Sequence, residues 1–508
     1  MGNGRTAAPA ALQGRHAALL FQCAYPATEA EWDTANRELR ELAVGVSALP
    51  PARLHNSGIA GSTVVASFSL AITRWLADRF PGAVALDSID GDPDHVMAVL
   101  GTALDPIERE VLSEQPLPWP AWQGRHLGAS RASRLRRLLA LVECLPGDPH
   151  HREAAFASFR VFVRWSIPID GPVPTTGRFP RGEIATHPRK PRRRAVLATA
   201  WSQGAPARMR LSRTDQMLLV DLARGTLASA LGETDPFTHA NPEEVECHDL
   251  GGGIRVALFA CQPPHKLALE AYIGYLLLKN HVPVAYGGGW VLGRQARFGI
   301  NVLPPFRGGG SALLLAQLLR LYAHRFDLKL FLVEPYQIGR GNRDGIRSGA
   351  FWFYWRLGFR PLQRDLLALA RAETRRIRVG GGRSPAALLR RLSHAVMAWE
   401  TPLQTVWTPI DMEAIGARVS AHVLEHFDGD RAVATRSSRR ALGLQDGRLA
   451  VLLAAIAPPG GWPRRELAAI DRAMAMKDRR ELDQVSRLQE RRALMQELAR
   501  RSPAVTKR

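Results

Sequence analysis

The sequence predicts an α/β protein with a central mixed sheet and helices, flanked by largely helical N- and C-terminal regions. Between residues 297 and 333, a short apolar run is followed by glycines, a helical stretch and a second apolar run, which is the pattern of a strand–helix–strand unit. Upstream of it lie three runs rich in β-forming residues and separated by turn residues. Both ends of the chain carry mainly helical spacing instead.

Residues 1–168 are predicted to form an α-rich region. Apolar residues recur at helical spacing in 29–42 and 64–80, and 130–145 has the pattern of a basic amphipathic helix. The segment NSGIAGST at 56–63 precedes the second of these helices. Because it lacks the lysine of a phosphate-binding P-loop, we interpret it as a helix start capped by Ser62 or Thr63.

Residues 169–195 are rich in Pro, Gly, Thr and Arg and show no hydrophobic period, so they are predicted to form a solvent-exposed basic linker. Its arginine-rich part is RKPRRR at 189–194. The segment 366–508 is predicted to be helical, and we expect Leu482, Val485 and Leu488 to lie on a charged helix with a solvated face or a weak partner surface.

Residues 196–365 are predicted to form the α/β domain. Residues 211–231 have helical spacing and should pack on the sheet, whose meander of about four strands corresponds to 254–261, 267–278, 284–292 and 297–302. Three glycines, 287–289, interrupt the third run. Glycine weakens a strand interior, which indicates a bulge or the close approach of a ligand there.

The last of these strands is followed by a glycine cluster and a helix. Pro304 and Pro305 end the strand, and Gly308, Gly309 and Gly310 precede leucines at helical spacing. The first N–H groups of such a helix have no partner within it, and the helix dipole favours an anion at the same point. Because glycine has no Cβ, the backbone can approach a ligand closely. This pattern predicts phosphate binding, although three glycines between apolar runs also make a simple turn.

Two motifs resemble those of the GCN5-related N-acetyltransferases. The first is the loop V-x-P-x-x-R-G-x-G-x-G/A, matched by Val302, Pro304, Arg307, Gly308, Gly310 and Ala312. The second is the ending A-x-x-F-Y-x-x-x-G-F, matched by AFWFYWRLGF at 350–359. Both occur in the right order, about 45 residues apart, within a resemblance that covers roughly 250–361.

The resemblance implies an acyl-CoA-dependent N-acyltransferase that moves an acetyl group from acetyl-CoA, as co-substrate, to an amine by direct attack. It implies an antiparallel half of the sheet followed by a parallel splay. The CoA pyrophosphate would be bound by Val302, Arg307, Gly308, Gly309, Gly310, Ser311 and Ala312. Tyr354 would protonate the departing thiolate. The family commonly has an asparagine about seven residues before this tyrosine, but Arg347 is there, and Asn342 is the nearest candidate.

The acceptor amine must lose a proton before it attacks, and either a carboxylate near the centre of the sheet or a water can take that proton. Glu334 follows the predicted strand 329–333, and Glu270 lies in the second run of the meander. For Glu334 an exposed glutamate without catalytic function is the alternative, and for Tyr354 it is a core aromatic among Phe351, Trp352, Phe353 and Trp355.

Cysteine and histidine usage predicts no metal site. Cys247, His248, Cys261 and His265 are zinc-ligand residue types, but they lack a C-x₂₋₄-C spacing. Four scattered cysteines make no disulfide framework, and no apolar stretch is long enough to span a membrane. These features favour a cytoplasmic protein.

The formal net charge is +21, and nearly all of the positive charge is arginine. The abundance of arginine, alanine and leucine is typical of a GC-rich bacterial genome. A basic surface suits an anionic substrate such as CoA, and it also suits nucleic acid. Two alternatives to the enzyme therefore stay open: a non-catalytic binding or regulatory module with the transferase fold, and a basic nucleic-acid-associated protein.

Overall fold

The computed structural model describes residues 9–187, 200–308, 310–402, 409–445, 447–489 and 491–502. The fold is mixed α/β, with 54% helix and 17% strand, and it has a mixed sheet with flanking helices. The strands form a three-stranded sheet in the N-terminal region and a nine-stranded sheet built from later residues. The described helices include none that is both long enough and apolar enough to cross a membrane.

The N-terminal region combines helices with a small antiparallel sheet of strand order β1-β3-β2. In chain order its elements are α1 (Pro9–Ala24), α2 (Glu29–Ser47), β1 (Thr63–Ser67), α3 (Leu70–Arg79), β2 (Val84–Ile89), α4 (Pro93–Gly101), α5 (Pro106–Glu114), α6 (Trp119–His126), α7 (Arg131–Glu143), α8 (Pro149–Ser158) and β3 (Val161–Ser166).

The prediction of a helix at 64–80 is partly wrong. Its first residues form β1, where β-branched Val64 lies opposite Trp165 of β3. The helix α3 begins only at Leu70, because the hydroxyl of Ser69 accepts a hydrogen bond from the backbone N–H of Ile72 at 3.2 Å. Ser62 and Thr63 therefore do not cap a helix. Ser62 donates to the carbonyl of Ile59 at 2.7 Å, and Thr63 opens the strand.

Residues 171–179 of the predicted linker are packed into the protein. Val173, Thr175 and Phe179 are fully buried, so the prediction of solvent exposure is wrong for 171–179, whereas residues 180–183 are exposed. Arg178 reaches the N-terminal helices, where it donates to Asn36 Oδ1 at 2.8 Å. The RKPRRR run lies outside the described residues.

The large sheet has the strand order β11-β12-β10-β9-β8-β7-β6-β5-β4. Neighbouring strands are antiparallel except β9 and β10, which are parallel. The elements of this part are β4 (Ala207–Met209), α9 (Arg213–Ser229), α10 (Asp235–Thr238), β5 (Ala240–Gly251), β6 (Ile254–Cys261), β7 (Ala271–Lys279), β8 (Val282–Leu292), β9 (Gln295–Val302), α11 (Ser311–Phe326), β10 (Leu330–Val333), α12 (Arg343–Ser348), α13 (Ala350–Arg356), β11 (Arg360–Pro361), α14 (Arg364–Arg378), α15 (Ala386–Leu392) and β12 (Met397–Glu400).

The four predicted strands correspond to β6 to β9, and the predicted helix at 211–231 corresponds to α9, which packs on the sheet through Leu219, Leu222 and Leu227. Four further strands of the large sheet, β4, β5, β11 and β12, were not predicted. β5 carries polar residues that are buried because they are paired, such as Glu246 with His248 at 3.0 Å. β4 has only three residues, and β12 lies within the segment for which we expected helices.

No bulge lies at glycines 287–289, since β8 pairs with both β7 and β9 without interruption there. A Cβ on Gly287 would lie 2.6 Å from the hydroxyl of Tyr275. On Gly288 it would lie 2.5 Å from Tyr272, and on Gly289 2.9 Å from Tyr322. The glycines make room for aromatic side chains on both faces of the sheet.

The C-terminal helices pack onto the same body. They are α16 (Met412–Phe427), α17 (Arg431–Leu442), α18 (Gly447–Ile456), α19 (Arg464–Arg479), α20 (Glu481–Gln489) and α21 (Arg492–Arg501). Leu482, Val485 and Leu488 of α20 are buried in hydrophobic clusters, so the prediction that they lie on a solvated helix face is wrong. A buried ion pair between Lys266 Nζ and Glu244 Oε1 at 2.6 Å lies under α19, whose Lys477 carbonyl accepts from the same ammonium at 3.0 Å.

Candidate functional site

Strands β9 and β10 diverge in the middle of the large sheet. They pair in parallel only from Gln295 to Arg297 of β9, opposite Leu330 to Leu332 of β10. β9 itself continues to Val302 and stays paired with β8 on its other side. Among the described residues, no strand pairs with the edge of β9 from Phe298 to Val302 on the β10 side, and the sheet opens there like a V.

Successive residues of β9 face opposite sides of this opening. Phe298 packs against Tyr322 of α11, with ring centroids 4.9 Å apart. Arg297 lies on the other face, over the ring of Trp290 at 5.4 Å. Residues on the α11 side and residues on the Arg297 side can therefore both reach the opening.

The segment 307–312, which we call the glycine loop, follows the carboxyl end of β9. A 3-10 turn, Pro304–Phe306, leads into it, and Arg307 Nε donates to the carbonyl of Val302 at 3.1 Å. Gly308 has φ +139°, and a Cβ there would meet no atom within 4 Å, so the loop is open at this point. Gly309 lies outside the described residues.

Helix α11 starts directly after the loop without a capping side chain. Gly310 is its N-cap residue, and Ser311 N donates to the carbonyl of Gly308 at 3.2 Å. The half-buried Ala312 packs against the large hydrophobic core. The first-turn N–H groups of this 16-residue helix have no acceptor within the helix, so the loop is a suitable place for an anion.

Two residues that we did not predict lie beside the loop. A Cβ on Gly310 would be 2.9 Å from the hydroxyl of Tyr25, at the end of α1. The ammonium of Lys279, at the carboxyl end of β7, lies 5.5 Å from the Tyr25 ring centroid and 2.5 Å from His187 Nε2. Burial, reinforced by Arg255, lowers the pKa of Lys279 to about 8. Tyr25 therefore lies next to both the Lys279 ammonium and Gly310, although the sequence around Lys279 is an ordinary apolar strand.

Tyr354 lies on the α11 side of the opening and is only 3% exposed. A hydrogen bond links its hydroxyl to the backbone of Ile300, on the unpaired edge of β9. Burial raises the pKa of the phenol above its ordinary value, so the hydroxyl keeps its proton at neutral pH. Its ring packs edge-on against Phe359, at a centroid distance of 5.4 Å. The residue is a core aromatic whose hydroxyl nevertheless reaches the opening.

The two candidate bases are bound by the same arginine on the other face. Arg297 Nη1 donates to Glu334 Oε1 at 2.8 Å, and Arg297 Nη2 donates to Glu270 at 2.8 and 3.0 Å. Burial raises the pKa of Glu270 although Arg297 opposes that shift, and the two carboxylates raise the pKa of Arg297 despite its burial. The side chain of Glu334 is 44% exposed, whereas that of Glu270 is 9% exposed.

Glu334 and Arg297 line a cavity of about 700 Å³ at the carboxyl end of β10. Its other lining residues come from the turn after β10, from the segments next to β11 and β12, and from the start of α16; they include Tyr336, Arg340, His394, Asp411 and Glu413. Cavities of this size hold small organic molecules. The exposed glutamate therefore faces a space large enough for an acceptor, and Glu270 lies behind it.

Asn342 is not part of this arrangement. Its side-chain oxygen accepts from Gly345 N at 3.0 Å, and its amide donates to the Tyr336 carbonyl at 3.2 Å, so both polar groups serve the start of α12. Binding of CoA by Asn342 stays a prediction from the sequence. In the described part of the chain, no group of three or more His, Cys, Asp or Glu residues could hold a metal ion.

Sequence reasoning thus found residues on each side of the opening but missed those that connect them. From the sequence, Arg297 was recognised only as the start of a strand. Its partners Glu270 and Glu334 lie 27 and 37 residues away, and only the strand register brings them to it. Tyr25 comes from a helix more than 280 residues before the loop it contacts. No family model, no curated protein and no solved structure matches the chain.

Proposed function

We propose that the protein is an acyl-CoA-dependent N-acyltransferase that transfers an acetyl group from acetyl-CoA to an amine. The observation that carries the proposal is the divergence of β9 and β10, with a glycine loop at the end of β9. An antiparallel set of strands followed by a parallel splay is what the family resemblance implies. The cysteine usage of the sequence favours the cytoplasm as the site of this activity.

The described residues offer acyl-CoA two kinds of contact. The unpaired edge of β9 presents backbone groups to which an extended amide chain can pair, as a peptide pairs with an open sheet edge. The loop at Arg307 to Ala312 presents first-turn N–H groups of α11 to a pyrophosphate. Space is open at Gly308 and is bounded by Tyr25 at Gly310, which sets how a phosphate can enter.

In the proposed reaction the amine nitrogen attacks the thioester carbonyl carbon, a C–N bond forms and the C–S bond breaks. Glu334, directly or through a water, takes the proton of the amine that enters from the 700 Å³ cavity. Tyr354 gives its proton to the thiolate. Positioning of the two substrates across the opening would supply much of the rate.

Two measurements on the purified chain test the proposal. Calorimetric titration with acetyl-CoA measures binding, and a thiol-reactive dye measures CoA release in the presence of a panel of amines. Binding together with amine-dependent thiol release is the expected result. Absence of acetyl-CoA binding at millimolar concentration would overturn it.

The non-catalytic alternative is favoured by the burial of Tyr354, whose hydroxyl already has a backbone partner. If acetyl-CoA binds but no amine of the panel promotes thiol release, this alternative replaces the enzyme. The nucleic-acid alternative rests on the net charge of +21 alone. It predicts binding to RNA or DNA that weakens steeply with salt concentration.

A further inference from the structure

A second cavity, of about 560 Å³, lies beside α13 and is lined by four arginines. They are Arg356 of α13, Arg360 of β11, Arg378 of α14 and Arg383 of the following loop. Tyr354, on the same helix, points into the core instead. We call this cavity the arginine pocket; it is separate from the cavity at Glu334 and shares no lining residue with it.

In the part of the chain that the structure describes, no carboxylate lines the arginine pocket and no acidic residue makes an ion pair with its four guanidinium groups. The buried Glu373 is nearby but is already engaged. Its Oε1 accepts from Arg376 at 2.6 Å and from Ser384 at 2.6 Å, and its Oε2 accepts from Arg376 at 2.7 Å. It keeps both oxygens for these partners and does not neutralise the pocket.

One of the four arginines, Arg360, lies in surroundings that disfavour its own charge. Burial and the nearby Arg371 together lower the pKa of Arg360, so this guanidinium lies in an environment that disfavours another cation. Its Nη1 donates only to backbone carbonyls, those of Trp355 and Phe359. Like charges at close range repel, and an anion between them relieves this repulsion. An anion that enters the pocket is also attracted by several arginines at once.

Two tryptophans give the pocket an aromatic wall. Trp352 is fixed by a hydrogen bond from its indole N–H to Ser384 Oγ at 2.9 Å, and Ser384 in turn donates to Glu373. Trp355 carries the Arg360 guanidinium over its ring at 4.1 Å and stands edge-on to Trp352. The rings are therefore held in place before any ligand arrives. An aromatic ligand can pack against them, as bases stack on aromatic side chains.

We propose that the arginine pocket binds a phosphorylated nucleoside, with its phosphate on Arg356, Arg378 and Arg383 and its base against Trp352 and Trp355. The combination of guanidinium groups with aromatic rings recognises both parts of such a ligand, and the cavity volume lies in the range for small-molecule sites. The ligand comes from one of two sources, a free nucleotide or the phosphorylated adenosine end of CoA. The proposal does not depend on acyltransferase activity.

Calorimetric titration with ADP, adenosine and inorganic phosphate tests the ligand class. We expect ADP to bind at least 10-fold more tightly than either adenosine or phosphate, because only ADP contacts both the arginines and the tryptophans of the pocket. Arg378→Gln combined with Arg383→Gln should weaken ADP binding at least 10-fold. Arg375→Gln combined with Arg390→Gln removes the same charge from exposed positions that do not line the pocket, and it should change the affinity less than twofold.

Competition identifies the source of the ligand. If CoA displaces ADP and the Arg378/Arg383 double variant weakens both, the pocket holds the adenosine end of CoA. If both ligands bind at once, the pocket takes a free nucleotide. Either result supports the proposal. Absence of ADP binding, equal affinity for ADP and adenosine, equal loss in both double variants, or binding of single-stranded oligonucleotides alone would overturn it.

Discussion

At the scale of the residue, the role of Tyr354 distinguishes the proposed acyltransferase from the alternative of a non-catalytic binding module. Tyr354→Phe removes the hydroxyl and keeps the ring that packs on Phe359. If the phenol protonates the thiolate, turnover should fall about 10²-fold or more, the low end for a general acid, with little change in acetyl-CoA affinity. Steady-state thiol release and calorimetric binding on the same preparations measure the two quantities.

The control for this variant is Tyr322→Phe. Tyr322 is also fully buried, and its hydroxyl donates to the backbone carbonyl of Ile273 at 2.8 Å. Each substitution therefore removes one buried hydroxyl–backbone hydrogen bond, worth about 1 kcal/mol of folding free energy. Only Tyr354→Phe should lower turnover. A similar loss in both variants would mean that stability, and not proton transfer, is responsible.

Gly310 gives a second prediction at this scale. Its φ is −89°, which alanine adopts freely, but a Cβ would lie 2.9 Å from the Tyr25 hydroxyl. Gly310→Ala should therefore displace the loop or Tyr25 and weaken acetyl-CoA binding by about 10-fold or more, equivalent to about 1.4 kcal/mol. Calorimetric titration measures the loss.

The double variant Gly310→Ala with Tyr25→Phe reports the cause of that loss. Removing the hydroxyl relieves the close contact, so the double variant should recover most of the affinity, whereas Tyr25→Phe alone should bind acetyl-CoA nearly as the parent does. If the second substitution brings no recovery, the loop requires glycine at 310 for a reason other than Tyr25.

At the scale of the element, the sequence predicts the strands that are uniformly apolar and misses those that are not. Runs such as Ile254–Cys261 and Leu330–Val333 are buried on both faces, so composition alone identifies them. β5 reads as polar because its buried Glu246 is satisfied by Arg325 at 2.8 Å, a partner on α11 that no local pattern reveals. Glu334 and Glu270 were identifiable as carboxylates near the sheet centre, but their common partner depends on register.

The segment before the large sheet shows the same limit. Its lack of a hydrophobic period predicted a linker, yet Arg178 is half-buried and donates to Asn36 Oδ1 and to the carbonyls of Pro174, Thr175 and Gly177. Polar contacts, which have no periodicity, hold this segment against the N-terminal helices. Residues 171–179 are therefore part of the packed body.

We predict that Arg178→Ala lowers the free energy of unfolding by about 2–4 kcal/mol, because it leaves three partly buried carbonyls and the Asn36 amide oxygen without their donor. Denaturant unfolding followed by circular dichroism measures it. Arg181→Gln is the matched control, since Arg181 is half exposed and its ion pair with Asp215 is replaced in part by Ser212. That variant should lose less than about 1 kcal/mol. Equal losses would contradict the assignment of Arg178 as the anchor.

At the scale of the whole molecule, buried titratable groups make stability depend on pH in two opposite ways. Burial lowers the pKa of His16, His239 and His281 to about 4 each. A histidine whose folded pKa lies below its unfolded value near 6.5 destabilises the fold as pH falls from 6.5 to about 4. A carboxyl with a raised folded pKa has the reverse effect, and Glu481 is such a group.

Glu481, the first residue of α20, lies at the junction between the C-terminal helices and the large sheet. Burial is the main cause that raises its pKa to about 7, and Glu244 adds to the rise, while Lys477 at 3.4 Å and Lys266 oppose it. In the unfolded chain a glutamate titrates near 4.3. The folded state therefore binds this proton more tightly, so the contribution of Glu481 to stability is full below pH 4 and is lost as pH rises to about 7.

Glu481→Gln keeps the shape of the side chain and removes its titration. The free energy of unfolding of the variant, minus that of the parent, should grow by about 2–3 kcal/mol between pH 5 and pH 8. Urea unfolding at four pH values over this range gives the difference directly. The exposed Glu110→Gln on α5 is the control, and its difference from the parent should stay constant. The loss of the Lys477 partner shifts the Glu481→Gln curve without changing its slope, because a lysine ammonium keeps its charge over this range. A slope of zero would mean that Glu481 is ionised in the fold, with Lys477 and Lys266 compensating its burial in full.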